Sequence, residues 1–253
     1  MLYRHVIGAE ERISADGEVL TPLNSARLEH DLAAAFAAGL RSVAIVLLHA
    51  YRFPQHEAEA ARIARVVGFT QVSVSHAVSP LPKIIARGDT TLVDAYLSPV
   101  LERYVASVRR GLDAALGDPP LLFMQSHGGL AAAAHFHGKD SLLSGPAGGV
   151  VGMVHAARAV GSGAVIGFDM GGTSTDVALF AGELERTTDV VIAGVRVSAP
   201  MLRIQTVAAG GGSILRFANG RLQVGPQSAG AFPGPACYRH GGPATVKIGR
   251  AHV

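Results

Sequence analysis

Asp169-Met-Gly-Gly-Thr-Ser-Thr-Asp176 sets two carboxylates, two glycines and three hydroxyls side by side, directly after the apolar run Ala164-Val-Ile-Gly-Phe168. Such a set is suited to holding a phosphate beside a metal ion. Glycines let the backbone turn tightly around an anion with its N–H groups exposed. Thr173, Ser174 and Thr175 add hydroxyl donors. Asp169 and Asp176 are acceptor-only at neutral pH, which suits a hard cation such as Mg²⁺, usually through its waters. Phosphate and metal together point to a nucleotide. The alternative is a plain hairpin turn in which Thr and Ser serve turn chemistry. The complete set of residues favours phosphate binding over that reading.

The elements around the loop differ from the best-known phosphate loops. No GxxxxGK[ST] is present, and no GxGxxG opens a helix. The loop instead joins two apolar runs, 164–168 and 177–180, predicted to pair antiparallel with the glycine N–H groups facing a cleft. A phosphate loop in a β-hairpin with an Asp at its start resembles the actin-like ATPases, among them sugar kinases, heat-shock chaperones and actin. Those proteins hold ATP between two lobes, each contributing one such hairpin. The resemblance implies an α/β fold with actin-like, ribonuclease H-like lobes.

Before the hairpin, helix and strand alternate. The spacing predicts a helix over 25–38 closed by Gly39, a buried strand over 43–48, a helix over 56–67 and a strand over 71–74. This βαβ order predicts a parallel sheet. Leu92, Val93, Tyr96, Val100, Leu101, Tyr104, Val105 and Val108 then follow helical spacing across a segment from about Thr90 to Leu116, with a kink expected at Pro99. A strand at 121–124 and a helix at 145–159 precede the hairpin strand, which reads as buried.

Composition fits a soluble α/β protein. The chain has 253 residues, 49% of them hydrophobic, enough for one large domain or two modest ones. Its 31 glycines exceed the usual ~7% and gather in 128–172 and 210–242, as working loops would. The net charge of +3 comes from scattered Arg without a basic stripe, which argues against nucleic acid. One Cys excludes a disulfide framework and fits a cytoplasmic location. No apolar run reaches the ~18 residues of a membrane span, and the N-terminus lacks a signal-peptide pattern.

Further segments carry candidate chemistry. Ser144-Gly-Pro-Ala-Gly-Gly-Val-Val-Gly152 opens a helix whose N–H groups could receive an anion, or whose glycines serve close helix packing. Gln125-Ser-His-Gly-Gly129 follows a strand at the end where α/β sheets place ligand crevices. His127 there is a candidate substrate contact or general acid/base. Ala209-Gly-Gly-Gly-Ser213 is a turn that could let a ligand approach the backbone; a flexible surface turn is the alternative, less favoured because hydrophobic residues flank it on both sides. His135-Phe-His137 has no Cys or acid at ligand spacing and does not read as a zinc site.

These stretches, with Leu81-Pro-Lys-Ile-Ile-Ala-Arg-Gly-Asp-Thr-Thr-Leu-Val-Asp-Ala-Tyr96 and Pro233-Gly-Pro-Ala-Cys-Tyr238, together resemble the hydantoinase A/5-oxoprolinase family across nearly the whole chain. Members of that family open cyclic amides with ATP, usually beside a hydantoinase B-type subunit. The resemblance implies phosphorylation of a ring carbonyl oxygen followed by water attack. It assigns Asp169 to Mg²⁺–ATP, Gly171, Gly172, Thr173, Ser174 and Thr175 to the phosphates, and Asp176 to the metal or the attacking water, and it places Gly210, Gly211, Gly212 and Ser213 near the nucleotide. An ATP-dependent ketone carboxylase subunit and a non-catalytic actin-like nucleotide-binding subunit share the same hairpin and remain open.

Two departures stand out. The family's first phosphate hairpin, GxDxGGTxTD, has no counterpart here, so the expectation is an internal fragment that is inactive alone. Residues 247–253, Lys-Ile-Gly-Arg-Ala-His-Val, read like a translated sequencing adapter and are expected to be non-native. The expected organisation is 1–85 as the end of the family's N-terminal region, 86–246 as a truncated hydantoinase A/oxoprolinase domain, and 247–253 as tail.

Overall fold

A computed structural model describes residues 2–116, 120–192 and 194–247, so the expected tail beyond Lys247 lies outside the described residues. The chain forms two units, Met1–Ser144 with Thr187–Met201, and Gly145–Arg186 with Leu202–Val253.

In the first unit a short hairpin, β1 (Arg12–Ile13) and β2 (Val19–Thr21), leads to α1 (Ser25–Ala37). Asn24 caps α1 by accepting the Arg27 N–H at 3.1 Å. Gly39 leaves the helix with φ +92°, the left-handed conformation that glycine adopts without strain. β3 (Ser42–Ile45) and β4 (Gln71–Val74) pair in parallel, from Ser42 opposite Gln71 to Ile45 opposite Val74, across α2 (Gln55–Val67). Leu28, Leu32 and Ala35 pack with Ala60, Ile63, Ala64 and Phe69 to form the core beneath this pair.

β3 stops at Ile45, short of the expected 43–48. Beyond it the Leu47 N–H goes to Glu57 and the Leu47 carbonyl to Arg87, so side chains replace the ladder. A single turn, α3 (Ser75–Val78), leads to α4 (Ile84–Leu116), which starts ahead of the expected Thr90 and runs through Pro99. Thr90 and Thr91 are buried inside the helix, and their hydroxyls are satisfied by donating to the carbonyls of Ala86 and Arg87, both at 2.7 Å.

β5 (Leu122–Met124) and β6 (Leu130–Ala132) form a hairpin. The chain continues through α5 (Ser144–Ala159), β7 (Ala164–Met170) and β8 (Thr175–Ala181), then returns to the first unit. β9 (Arg186–Ile192) and β10 (Val195–Leu202) pair, and Val197, Ala199 and Met201 pack with Val93 of α4. β11 (Gln205–Val207) and the hairpin of β12 (Ser213–Ala218) and β13 (Arg221–Ser228) complete the second unit.

The second unit's sheet has the order β11-β8-β7, with both pairings antiparallel. One face packs against α5: Met153 lies over Gly167, and the Arg158 guanidinium stands 5.7 Å from the Phe180 ring centre. β7 nevertheless departs from the buried strand expected. Ile166 and Phe168, on the opposite face, are 72% and 67% exposed, because no described element covers that face. Among the described residues no helix is long and apolar enough to cross a membrane.

Two substitutions test this packing with opposite signs. Leu32, 3% exposed in the core, should cost roughly 2–5 kcal/mol when replaced by Ala. A Cβ at Gly152, inside α5, meets nothing within 4 Å, so Gly152→Ala should stabilise by up to about 1 kcal/mol. Thermal and urea unfolding of the chain measures both.

Candidate active site

Two glycine loops meet in the second unit. The first joins β7 to β8 and is closed by Gly171 N–H donating to the Ser174 carbonyl at 2.9 Å. Antiparallel register sets Asp169 opposite Asp176 and Met170 opposite Thr175. The second follows β11, which pairs with β8 so that Thr206 faces Asp176 and Val207 faces Thr175. Gly211 N–H donates to the Gly171 carbonyl at 2.8 Å, and Gly212 N–H to the Gly172 carbonyl at 2.6 Å. A Cβ on Gly210 would lie 2.7 Å from backbone atoms of Gly172, Thr173 and Ser174. One on Gly212 would lie 2.8 Å from the Gly172 oxygen. Side chains are excluded at both positions so that two backbones can touch.

The donors left over define the site. Gly172, Thr173 and Ser174 present consecutive amides with no hydrogen-bond partner among the described residues, and the Thr173 and Ser174 hydroxyls are likewise free. Thr175, expected among the phosphate contacts, differs. Its side chain is 3% exposed and its hydroxyl donates to the Ala209 carbonyl at 2.6 Å, so it is committed to the loop that follows β11. Gly210, Gly211, Gly212 and Ser213, expected on the nucleotide, use their amides inside the protein: Gly210 N–H goes to Ser213 Oγ, Ser213 N–H to the Gly210 carbonyl, and the other two to the first loop. Their part is to brace the first loop.

The two carboxylates differ in their surroundings. Asp176 Oδ1 accepts the Thr206 hydroxyl at 2.6 Å, whereas the exposed Asp169 carboxylate has no partner among the described residues. Directly opposed carboxylates repel. Gly149 of α5 approaches Asp169 with room for a Cβ, which would stand 3.7 Å from Oδ2. Beside the loops lies a cleft of about 490 Å³, lined by Gly171, Gly172, Gly211, Gly212, Pro235 and Tyr238 among others, a volume within the range of small-ligand pockets. No group of three or more His, Cys, Asp and Glu that could hold a metal occurs among the described residues. The two facing aspartates therefore suit a cation that takes most of its ligands from water and phosphate, as Mg²⁺ does.

His127, the third catalytic candidate, belongs to the first unit. Its Nδ1 accepts the Gly129 N–H at 3.2 Å, and its Nε2 pairs with Gln125 Oε1 at 2.8 Å. Both ring nitrogens close the β5–β6 turn, which leaves neither open for proton transfer there. Thr206 and Tyr238 are additions that sequence reasoning did not single out for the site. Thr206 sits in a three-residue strand too short to show alternation, while Tyr238 stood in a quoted motif with no role attached.

A phosphate-ready hairpin braced by a glycine loop, in a mixed α/β chain, defines the actin-like ATPase fold of the hydantoinase type. Residues 87–247 match the Hydantoinase/oxoprolinase family and residues 1–68 match the Hydantoinase/oxoprolinase N-terminal region, and the chain belongs to that family. It is 49% identical to the 5-oxoprolinase of Saccharomyces cerevisiae over 213 residues, covering 83% of this chain and 16% of that one. It is 36% identical over 236 residues to the caprolactamase subunit alpha of Pseudomonas jessenii, covering 91% of this chain and 34% of that protein. The crystal structure of the ATP-dependent caprolactamase of that organism superposes with a TM-score of 0.79 at 36% identity, over 94% of this chain and 35% of that one. The nucleotide-free acetone carboxylase structure superposes at 0.76 with 26% identity, over 92% and 34% of the two chains. The chain thus spans about a fifth or less of the curated 5-oxoprolinases it matches.

Contact between the two loops sets a clear expectation for Gly210→Ala. The added carbon has only backbone to displace, so the substitution should cost roughly 1–3 kcal/mol and abolish nucleotide binding to the loops. Calorimetry with Mg²⁺–ATP, beside a melting curve of the same variant, measures the two effects separately.

Proposed function

We propose that the chain carries a nucleotide-binding part of an enzyme that opens a cyclic amide at the expense of ATP. The observation that carries the reading is the run of free amides at Gly172, Thr173 and Ser174, set between the opposed Asp169 and Asp176. Those amides and the Thr173 and Ser174 hydroxyls would receive phosphate oxygens. Asp169 would hold Mg²⁺, with Asp176 beside it on the metal or on the attacking water, oriented by the Thr206 hydroxyl. Mg²⁺ supplies charge neutralisation, and ATP supplies a phosphoryl group that turns the ring carbonyl oxygen into a leaving group far better than an oxide.

The named relatives support amide opening in general: a 5-oxoprolinase and a caprolactamase. Hydantoin, N-methylhydantoin, 5-oxoproline and a simple lactam are the candidate substrates. A relative named as subunit alpha supports a second subunit, and we assign it the hydantoinase B type. Ketone carboxylation is the second reading, favoured by the likeness to acetone carboxylase. Identity of 26% to that chain against 36% to the caprolactamase puts amide opening first.

The test is phosphate release by the full-length subunit with its B-type partner, Mg²⁺ and ATP, offered each cyclic amide in turn and acetone with bicarbonate. Amide-dependent release is expected; release with acetone alone would establish the second reading. Asp169→Asn keeps the volume and removes the charge, so it should lower turnover on the order of a hundredfold while the melting temperature does not fall. Thr206→Val removes only the hydroxyl that orients Asp176, and a loss of about tenfold is expected.

A further inference from the structure

The first unit holds a polar cluster that the nucleotide site does not use. Glu57, Ser75 and Arg87 are each 0% exposed, at the C-terminal edge of the parallel β3–β4 pair, the edge where α/β sheets place their ligands. Arg87 donates through Nε to Ser75 Oγ at 2.8 Å and through its other nitrogens to the carbonyls of Leu47, Leu48 and Leu81. Burial draws its guanidinium below the ordinary value, while Glu57 and Tyr51 act in the opposite direction. Glu57 Oε1 accepts the Leu47 N–H at 2.8 Å and the Ser75 hydroxyl at 2.5 Å. Glu57 Oε2 accepts the His76 N–H at 3.0 Å and His76 Nδ1 at 2.7 Å.

This donor set fixes a proton on Nδ1 of His76. Both oxygens of Glu57 receive a backbone N–H, so the carboxylate is an acceptor throughout, and the bond from Nδ1 must carry the ring proton. In a neutral imidazole the lone pair then lies on Nε2. Nε2 makes no hydrogen bond among the described residues, yet no buried side-chain nitrogen or oxygen there lacks a partner, so Nε2 is open to solvent. The His76 side chain is 24% exposed, against 0% for Glu57. Every other polar side-chain group of Glu57, Ser75 and Arg87 is turned inward on the protein.

We propose that Nε2 of His76 is a fixed proton-acceptor site that takes a neutral N–H donor, of the kind a ring amide presents. A lone pair facing outward repels a phosphate or carboxylate oxygen and attracts a polarised N–H. Glu57 holds the ring in one tautomer, as the carboxylate partners of catalytic and metal-bound histidines do. The choice of a ring amide as ligand rests on the cyclic-amide reading; the acceptor site itself does not.

The experiment is ¹⁵N NMR of the whole chain labelled at histidine, titrated with pyrrolidone and with N-methylpyrrolidone, and separately with Mg²⁺–ATP. An Nε2 resonance of the unprotonated neutral form is expected for His76, moving with pyrrolidone and still with the N-methyl compound. The His56 ring, whose Nδ1 pairs with Glu11 at 2.7 Å, is the internal reference and should not move. His76→Asn keeps an N–H donor for the buried Glu57 and removes the acceptor at the Nε2 position, so it should weaken pyrrolidone binding about tenfold without lowering the melting temperature. A proton found on Nε2, an equal response to both compounds, or no response to either would overturn the proposal. Loss of the ATP response alone would count against the nucleotide reading and leave the His76 site standing.

Discussion

The second unit depends on one contact between backbones. Gly211 and Gly212 donate to the carbonyls of Gly171 and Gly172, and that clasp decides which way the β7–β8 turn faces. In a trans peptide the carbonyl of one residue and the N–H of the next point in opposite directions. Tying the Gly171 and Gly172 carbonyls toward the glycine loop therefore turns the amides of Gly172 and Thr173 away from it. The donors are oriented by what happens behind them, before any ligand arrives. Preorganisation of this kind is what makes an amide cradle effective toward a charged group, since no reorganisation is needed on binding.

Charge is left unbalanced at the same place. Asp169 and Asp176 face each other across the β7–β8 ladder, and only Asp176 has a hydrogen-bond partner among the described residues. Opposed like charges destabilise a β pair. A cation between them removes the repulsion, so the arrangement makes sense as half of a metal site whose other ligands are phosphate and water. Buried Glu57 and Arg87 show the contrasting solution. They share the Ser75 hydroxyl, with Glu57 also bonded to backbone and His76 donors and Arg87 to backbone carbonyls, so burial leaves neither charge uncompensated. The first unit holds its loops with charged side chains, and the second holds its loop with glycine backbone.

Much of this was legible in the residues. The β7–β8 hairpin, the caps of α1 and the parallel β3–β4 pair are local or nearly so, and periodicity and glycine placement report such features directly. The contact of 210–212 with 171–174 was not legible, because it joins loops some forty residues apart through a strand of three residues that carries no pattern. Thr175 differs for a related reason: a hydroxyl shows donor capacity, but only the pairing of the distant β11 with β8 brings the Ala209 carbonyl within its reach. His127 illustrates the limit for side chains in turns. Its position after a strand suggested an open base, whereas a neighbouring amide and Gln125 occupy both ring nitrogens. The return of 187–201 to the first unit was also hidden, since β9 and β10 look like a continuation of the preceding strands and only their packing on Val93 separates them.

A site made of backbone has a consequence for specificity. Free backbone amides such as those of Gly172, Thr173 and Ser174 suit a phosphate, the group all nucleotides share, and the clasp tolerates no side chain at Gly210 or Gly212. An amide cradle by itself does not distinguish one acyl substrate of an ATP-dependent enzyme from another. This fits a chain whose likeness extends to both a caprolactamase and an acetone carboxylase. Discrimination among such substrates needs polar side chains whose hydrogen bonds are left unpaired by the wrong ligand, which costs far more than a missing apolar contact. In the first unit, polar groups of that kind gather at the C-terminal edge of β3 and β4, in Glu57, Ser75, His76 and Arg87.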